Sequence, residues 1–388
     1  MKKVLLFHQG ADLYGSDKIF LLVANALSRT HRLKVVLDSN GPLVDKLKNE
    51  GVSDISIMDL GVLRRKKISG ALGIFSFFWE FLKAIKASRK LVKEFYPDIV
   101  YVNTLAVLAP LFSCLFNRAK VFHHIHEIQF RPKAFVRVLY SLSCILSDQV
   151  ICVSGSVKKC VEQMSFVHSS KCKILYNGIP SVNVSEQEKL KLRKEIGSEF
   201  RDFSLPLLAF VARIHSWKGQ LEFLEVVKIL RDRFNVHVNV AFFGDVFPGY
   251  EDILRNIDQR IETYGLSENV RCFGFRKDAP VLFAISDLSI MGSTEPDPLP
   301  TIVLESMQQE TPVIAYAHGG SCEMLKDGVT GVLVSPISAD EMAGRIAQIV
   351  YRPSVIREMG RNAKIDFDNR FSHQSFIERL SREFSVHG

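Results

Sequence analysis

Residues 288–316 read LSIMGSTEPDPLPTIVLESMQQETPVIAY, in which two short apolar runs flank a helical pattern. Leu288–Met291 and Val313–Tyr316 have the length and composition of buried strands, and residues 301–309 have the apolar spacing of a helix. Two strands of one sheet that are joined through a crossover helix run parallel. The stretch therefore predicts one strand-helix-strand unit of a parallel α/β sheet.

The same alternation continues through the chain in two sets of strands, with a boundary in the charged stretch 178–206. The first set is predicted at residues 3–7, 33–37, 55–58, 99–103, 120–124, 149–153 and 173–176. The second set is predicted at residues 207–211, 237–242, 270–273, 288–291, 313–316 and 331–334, and only helices are predicted from residue 338 onward. A chain of 388 residues also exceeds what one hydrophobic core usually serves. These patterns predict two doubly wound domains, with ligands beyond the carboxyl ends of the strands.

The composition is that of a folded globular protein, with 47% hydrophobic residues, 24% charged residues and a net charge of +8. The charge is uneven: residues 1–180 hold 26 Lys and Arg against 13 Asp and Glu, and the remainder holds 24 against 29. The positive first half predicts an anionic partner, which could be a membrane surface, a phosphorylated lipid or a nucleic acid. A nucleic acid is disfavoured because no recognised binding module accompanies the basic residues.

The seven cysteines show neither paired nor zinc-type spacing, which predicts free thiols in a reducing, cytoplasmic compartment. The first apolar run is interrupted by His8 and Gln9, so we interpret it as a strand and not as a signal peptide. No apolar stretch reaches the about 20 residues that span a bilayer. We therefore expect no transmembrane helix.

The turn at residues 292–300 lies at the carboxyl end of a predicted strand and leads into a helix. Leu299, Thr301 and Ile302 would offer free backbone N–H groups at the helix start, with Pro300 in the first turn. Such a helix start is suited to bind an anion. The stretch therefore predicts a diphosphate site.

Four charged residues surround this predicted site. Asp297 lies in the turn and Glu305 lies one helical turn past Thr301, where carboxylates can bind paired sugar hydroxyls. Arg213 and Lys218, in FVARIHSWKGQLEFL at residues 210–224, would stabilise the charge of a departing diphosphate. We predict that a strand ends at Arg213 and that a helix begins near Trp217. The alternative interpretation is that all four are ordinary solvated acids and cations.

Five segments together resemble the family-four retaining glycosyltransferases, the glycosyl transferases group 1, of GT-B architecture. They are YGSDKIFLLVANAL at 14–27, KILYNGIP at 173–180, VARIHSWKGQ at 211–220, VRCFGFRKDAPVLFAISDLSIMGS at 270–293 and PDPLPTIVLESMQQETPVIAYAHGGSCEMLKDGVTGVLV at 296–334. They span nearly the whole chain, and the last is the most specific.

The resemblance implies an α/β fold of two Rossmann-like, doubly wound domains that face each other across a cleft. Residues 1–180 would bind the acceptor and residues 181–365 the nucleotide sugar, and a C-terminal helix at 366–388 would cross back to the first domain. A hexosyl-type sugar would pass from a UDP-sugar, or alternatively a GDP-sugar, to a lipid-linked or polysaccharide acceptor of a cell-surface glycan. The resemblance implies retention of configuration and no metal or other cofactor.

The resemblance also assigns roles on the donor side. The family has two glutamates separated by seven residues, and Asp297 stands at the first position here. Glu305 would bind the ribose hydroxyls and Asp297 the hydroxyls of the transferred sugar, while Arg213 and Lys218 would bind the diphosphate. The segment that holds the base, largely through backbone groups, is matched by Phe275 and Arg276, and Gly244 joins the donor-binding set.

In the first domain, Gly15 and Ser16 would line the acceptor side. His126, in VFHHIHEIQ, matches a histidine that reaches the donor sugar across the cleft. The neighbouring His123 and His124 invite a metal interpretation, but their alternation along a strand and the lack of an H-E-x-x-H motif disfavour it. The implied mechanism is direct transfer in which the departing phosphate takes the proton, and a covalent intermediate on Asp297 is the less favoured alternative.

Residues 61–96 combine the basic run RRKK at 64–67 with a Phe- and Trp-rich stretch and further lysines. Aromatic residues at a lipid headgroup boundary and cations on phosphates would seat the protein on the inner face of the cytoplasmic membrane. The alternative is a core-packing helix with a solvated basic face.

Two other functions remain open from the sequence. The chain could be a catalytically silent nucleotide-sugar-binding or scaffolding subunit of a glycan assembly complex, although the joint presence of Arg213, Lys218, Asp297 and Glu305 disfavours it. It could also be another GT-B enzyme, such as an epimerase or a phosphorylase. No pyridoxal lysine site for a phosphorylase is recognisable.

Overall fold

The computed structural model describes residues 1–13, 15–63, 70–167, 170–335 and 337–386. The internal contacts divide the chain into two compact units. Unit 1 comprises Met1–Gly178 and Phe376–Gly388, and unit 2 comprises Ile179–Ser375. Each unit is built on its own parallel sheet.

Unit 1 holds a seven-stranded sheet with the order β3-β2-β1-β4-β5-β6-β7. The strands are β1 (Lys3–His8), β2 (Arg32–Leu37), β3 (Ile55–Ile57), β4 (Ile99–Asn103), β5 (Lys120–Ile125), β6 (Gln149–Cys152) and β7 (Cys172–Ile174). The helices are α1 (Gly15–Ser28), α2 (Pro42–Asn49), α3 (Gly70–Phe95), α4 (Ala109–Ser113), α5 (Lys133–Leu146) and α6 (Gly155–Met164). All six pairs of neighbouring strands in this sheet are parallel.

Unit 2 holds a six-stranded parallel sheet with the order β10-β9-β8-β11-β12-β13. The strands are β8 (Leu207–Val211), β9 (Asn239–Phe243), β10 (Val270–Cys272), β11 (Leu288–Met291), β12 (Val313–Tyr316) and β13 (Gly331–Val334). The helices are α7 (Glu186–Gly197), α8 (Gln220–Phe234), α9 (Glu251–Thr263), α10 (Ala279–Ala284), α11 (Thr301–Gln308), α12 (Ser321–Met324), α13 (Ala339–Ile349) and α14 (Pro353–Arg370). The last helix, α15 (His373–Val386), begins in unit 2 and continues into unit 1.

Both sheets are buried on both faces, which explains their unbroken apolar strands. In β1, the residues from Val4 to Phe7 are all fully buried. Helix α15 starts in unit 2 but contributes its apolar residues to the core of unit 1, at Phe376, Leu380 and Phe384. These three residues recur every four positions and thus share one helix face.

All thirteen predicted strands are present in the described part of the chain, within two residues at most ends. Two predicted boundaries near Arg213 and Lys218 were wrong. The first strand of unit 2, β8, ends at Val211 and not at Arg213. The following helix begins at Gln220 and not near Trp217. The reason is Gly219, whose left-handed φ of 82° is incompatible with a continuous helix and makes it the N-cap residue of α8.

In each sheet the strand order reverses beside the first strand, so β1 lies next to β4, and β8 lies next to β11. The loops after such neighbouring strands diverge to opposite sides of the sheet. They leave a crevice at the carboxyl edge, which is where open α/β sheets bind their ligands. Many of the predicted site residues follow these strands, and the others follow β5, β9 and β10.

Candidate functional site

In unit 2, the loops after β8 and β11 are joined by an ion pair. The ammonium of Lys218 lies 2.7 Å from a carboxylate oxygen of Asp297, and their side chains are 23% and 14% exposed. The sequence assigned these residues to different parts of a donor, the diphosphate and the sugar. The structure brings them into direct contact.

Helix α11 begins immediately after this pair, with Pro300 as its N-cap residue. Leu299 and Pro300 are buried, Thr301 and Ile302 are half-buried, and no side chain caps the helix start. Glu305 is half-buried one turn further along the same helix. The prediction of a helix start followed by a carboxylate one turn later agrees with this geometry.

Three glycines set the positions of these loops. A Cβ atom on Gly219 would lie 1.9 Å from the carbonyl oxygen of Gly292, so the loop after β8 can approach the end of β11 only because residue 219 lacks a side chain. Gly319 and Gly320 pack on the backbone of Asp297 and Pro298 in the same way, with Cβ positions 2.5 Å and 2.3 Å from their carbonyl oxygens. The glycines therefore hold Lys218 and Asp297 close together.

Arg213 is exposed on the loop after β8, with its guanidinium 5.8 Å from the ring centre of Phe247. Its carbonyl oxygen accepts a hydrogen bond of 2.9 Å from the side chain of Gln220 at the start of α8. Gly244 has a φ of 142°, and a Cβ atom there would lie 2.1 Å from the carbonyl oxygen of Ala212. Gly244 thus supports the backbone beside Arg213.

Phe275 and Arg276 follow β10 at the same edge of the sheet. The Phe275 ring is 62% exposed, and its backbone N–H donates to the Asp245 carboxylate over 2.9 Å. The Arg276 guanidinium forms two hydrogen bonds with Asp278 and one with Glu195, and the contact with Asp278 raises the pKa of Arg276. The Arg276 side chain is therefore occupied by contacts with Asp278 and Glu195. Only the backbone of Arg276 is then left to bind a ligand.

In unit 1, Gly15 and Ser16 form the first turn of α1 at the carboxyl edge of the sheet, with Gly15 exposed. His126 follows β5 directly and is half-buried. Its Nε2 lies 2.8 Å from the amide oxygen of Asn103, the last residue of β4. The acceptor-side and histidine candidates thus lie on loops after β1 and β5.

Each of the three clustered histidines binds a protein group through one of its two ring nitrogens. His123 is fully buried and binds the carbonyl oxygen of Thr104 over 2.9 Å, and His124 binds the hydroxyl of Tyr101 over 2.5 Å. Burial lowers the pKa of His123 to about 4 and that of His126 to about 3, and it lowers the pKa of His124 as well. In the described ranges, no three His, Cys, Asp or Glu side chains are placed to hold a metal ion.

Sequence reasoning missed Asn103, which binds His126, and the buried residues His8 and Asp17, which extend the hydrogen bonds from Asn103. Asn103 ends β4, His8 ends β1, and Asp17 lies in the first turn of α1. Polar residues at the ends of otherwise apolar strands were the available signal, because such positions are buried only when they have partners. Gly319 and Gly320 lie in the segment 296–334 that resembles the family, but their contact with the Asp297 loop was not predicted.

The aromatic segment predicted to contact a membrane forms α3, while its basic run at 64–67 lies outside the described residues. On α3, Phe75, Phe78, Trp79 and Leu82 are 40–72% exposed and lie on one helix face. The same helix buries Ala84, Ser88 and Val92, so the alternative of a core-packing helix with a solvated basic face stays open. No described helix combines the length and apolar character needed to cross a bilayer.

Two family models match this chain. The model described as Glycosyltransferase Family 4 matches residues 15–181, and the model described as Glycosyl transferases group 1 matches residues 194–366. The two matches thus fall on the two doubly wound parts of the chain.

Known proteins show the same likeness. The chain is 27% identical over 257 residues to glycosyltransferase MJ1607 of Methanocaldococcus jannaschii, covering 65% of this chain but only 63% of that relative. It is 28% identical to the lipopolysaccharide core biosynthesis glycosyltransferase LpsE of Rhizobium meliloti, over 98% of this chain and 96% of LpsE. The crystal structure of Anabaena HepE in complex with UDP-glucose matches with a TM-score of 0.81 at 22% identity over the full length of both chains, which shows a shared GT-B fold.

Proposed function

Because the chain belongs to the group 1 glycosyltransferases, we propose that it moves a hexosyl-type sugar from a UDP-sugar to a glycan or lipid-linked acceptor. A GDP-sugar is the alternative donor. LpsE acts in lipopolysaccharide core biosynthesis and HepE binds UDP-glucose. These relatives favour a role in cell-surface glycan assembly.

The main support is the Lys218–Asp297 pair beside the uncapped start of α11. A diphosphate bound there would meet the N–H groups of residues 301 and 302 and the two cations Arg213 and Lys218. Glu305 would accept hydrogen bonds from the ribose hydroxyls, and Asp297 would face a sugar hydroxyl while it orients Lys218. Phe275 and the backbone of Arg276 would hold the base.

The proposed reaction is direct transfer with retention. As the glycosidic bond breaks, negative charge builds on the departing diphosphate, and the fixed cations Arg213 and Lys218 stabilise that charge. An oxygen of the departing phosphate takes the proton of the incoming acceptor hydroxyl, whose oxygen bonds to the sugar carbon that the diphosphate leaves. No nucleophile of the enzyme is therefore needed. Since two side-chain cations and a helix start supply the positive charge, we propose that the reaction needs no metal ion.

We further propose that unit 1 seats on the inner, cytoplasmic face of the membrane. Support comes from the exposed face of α3 and from a second row on α5, where Phe135, Val138 and Ile145 are 41–56% exposed. Helix α5 contains two basic residues and no acidic ones, and α3 contains five basic residues against two acidic ones. Apolar rows with basic neighbours fit anionic lipid.

A donor screen tests the enzyme proposal. Wild-type protein is incubated with a panel of UDP- and GDP-sugars, with and without a membrane extract as acceptor source, and nucleoside diphosphate release is measured. We expect release from one donor that rises with the extract. Donor binding without any turnover would instead favour the silent-subunit alternative.

A further inference from the structure

A chain of hydrogen bonds runs through the interior of unit 1 from α1 to His126. The Asp17 carboxylate lies 2.7 Å from Nε2 of His8, and Nδ1 of His8 lies 2.9 Å from the amide nitrogen of Asn103. The amide oxygen of Asn103 then lies 2.8 Å from Nε2 of His126. His8 and Asn103 are fully buried and Asp17 is 4% exposed, so water does not compete for these bonds.

The orientation of the Asn103 amide is set by the backbone of Ser16, which lies outside this chain of bonds. The carbonyl oxygen of Ser16, which can only accept, lies 3.5 Å from one terminal atom of the amide, so that atom is the NH₂ group. The other atom is therefore the oxygen, and it lies 3.1 Å from the hydroxyl of Tyr101, which also lies 2.5 Å from Nδ1 of His124. Asn103 thus presents its NH₂ group to His8 and its oxygen to His126.

The protons on both histidines follow from this orientation. Since Asn103 donates to Nδ1 of His8, that nitrogen holds a lone pair, and the His8 proton is on Nε2, which donates to Asp17. The Phe20 ring stacks on His8 at 4.6 Å and holds the imidazole plane. At the other end, the Asn103 oxygen can only accept, so Nε2 of His126 carries a proton.

His126 is uncharged in this arrangement. Burial lowers its pKa to about 3, so near neutral pH the ring carries a single proton. Because that proton is on Nε2, Nδ1 of His126 holds a lone pair and can accept a hydrogen bond. The opposite tautomer would offer an N–H group at the same place and would bind an oxygen lone pair instead of a hydroxyl proton.

We propose that Asp17, His8 and Asn103 are positioning residues that hold His126 in its Nε2-protonated tautomer, so that Nδ1 accepts a hydrogen bond from a substrate hydroxyl. The choice of a sugar or acceptor hydroxyl as the donor to Nδ1 rests on the proposed function. The tautomer itself rests only on the geometry of unit 1. The same chain of bonds would make this position select a hydroxyl over a hydrogen-bond acceptor.

Nitrogen NMR of histidine-labelled full-length protein tests the tautomer directly, with His126 assigned by its loss in His126→Gln. In the wild type we expect a protonated-type shift for Nε2 and an unprotonated-type shift for Nδ1 from pH 5 to 8. In Asn103→Leu the preference should be lost, and the two shifts should converge. In Asn103→Asp it should persist, because a carboxylate still accepts from Nε2 of His126.

If the role of Asn103 were purely structural, Asn103→Asp would disturb the protein more than Asn103→Leu, because a buried leucine is tolerated better than a buried carboxylate. Asp12→Asn is the matched control near Asp17, since it removes an exposed carboxylate outside the hydrogen-bond chain. It should leave the His126 shifts unchanged. A protonated Nδ1 of His126 in the wild type, or unchanged His126 shifts in Asn103→Leu, would overturn the proposal. The measurement on the wild type does not depend on whether any variant folds.

Turnover separates this inference from the proposed function. With an identified donor, Asn103→Leu should lower kcat on the order of 100-fold with little change in donor KM, as expected for a mispositioned group. Asn103→Asp should recover most of that loss. If no donor is turned over but the tautomer is as expected, the proposed function fails and the tautomer assignment stands. Full turnover by Asn103→Leu would remove the positioning role while leaving the transferase intact.

Discussion

Lys218 and Asp297 form an ion pair of 2.7 Å between residues 79 positions apart in the sequence. They lie on the loops after the neighbouring strands β8 and β11, so the pair ties together the two loops that carry most of the donor-site candidates. Both side chains are largely shielded from water. Removal of either partner would therefore leave a poorly hydrated charge without its counter-ion.

Lys218→Met should destabilise unit 2, because it leaves the Asp297 carboxylate partly buried without its counter-ion. Removal of one partner from a fully buried pair costs about 3–5 kcal/mol, and we expect about 1–3 kcal/mol for this partly exposed one. The melting temperature should fall by several degrees. The control is Lys228→Met, which breaks an exposed pair with Asp232 and should change little. Equal shifts for the two variants would contradict this account.

Gly219→Ala should weaken both folding and nucleotide binding. The added Cβ would lie 1.9 Å from the carbonyl oxygen of Gly292, and the residue has a φ of 82°. Gly249→Ala is the matched control, because Gly249 has a φ of 90° but no atom within 4 Å of the Cβ position. The backbone cost is common to both, on the order of 1 kcal/mol. We expect Gly219→Ala to lose more melting temperature and more UDP affinity than Gly249→Ala, and the difference measures the contact between the two loops. Equal losses in the two variants would argue against that contact.

Acid should destabilise unit 1 through its buried histidines. The pKa of His123 is lowered to about 4 and that of His126 to about 3, mainly by burial. Below the unfolded-state value of 6.5, the unfolded chain takes up protons that the folded unit does not. Stability should therefore fall as the pH drops from 6.5 toward 4, by about 1.4 kcal/mol per pH unit for each such histidine.

The measurement is the melting temperature between pH 7.5 and 4.5. His123→Gln should show a shallower decline than the wild type, because it removes one of these groups. His237→Gln changes an exposed histidine and should follow the wild-type curve. A wild-type melting temperature that does not fall across this range would contradict the account.

Membrane seating should depend on the exposed face of α3. The triple variant Phe75→Ser, Phe78→Ser and Trp79→Ser should no longer float with vesicles of phosphatidylcholine and phosphatidylglycerol, since the rings are 56–72% exposed and support little of the fold. Tyr351→Ser with Ile365→Ser removes comparably exposed apolar groups from unit 2 and should float like the wild type. Flotation of the triple variant at the wild-type level would count against the proposed membrane face.

The strands were predictable because their signal is local. Runs such as 99–103 and 288–291 are apolar over the length of one strand, and that information needs no knowledge of distant residues. The turn and helix around Pro300 were predictable for the same reason. The start of α8 was not, since it depends on the left-handed Gly219, which packs against Gly292 just after β11.

The side-chain contacts within each site could not be predicted from local sequence patterns. Lys218 meets Asp297 only because β8 and β11 are neighbours in the sheet, and strand order is not encoded in any one segment. His8, Asn103 and His126 meet because β1, β4 and β5 are adjacent. Sequence alone could nominate His126, but the partners that determine its proton positions required the structure.

We propose that the start of α11 and Glu305 form the donor site of an active glycosyltransferase. The test is sugar transfer from the donor found in the screen, measured for wild type, Glu305→Gln and the nearby control Glu310→Gln. Loss of charged hydrogen bonds worth about 1.5–3 kcal/mol should raise the donor KM of Glu305→Gln roughly 10- to 100-fold, while Glu310→Gln stays near wild type. Wild-type donor KM and turnover in Glu305→Gln would contradict the claim.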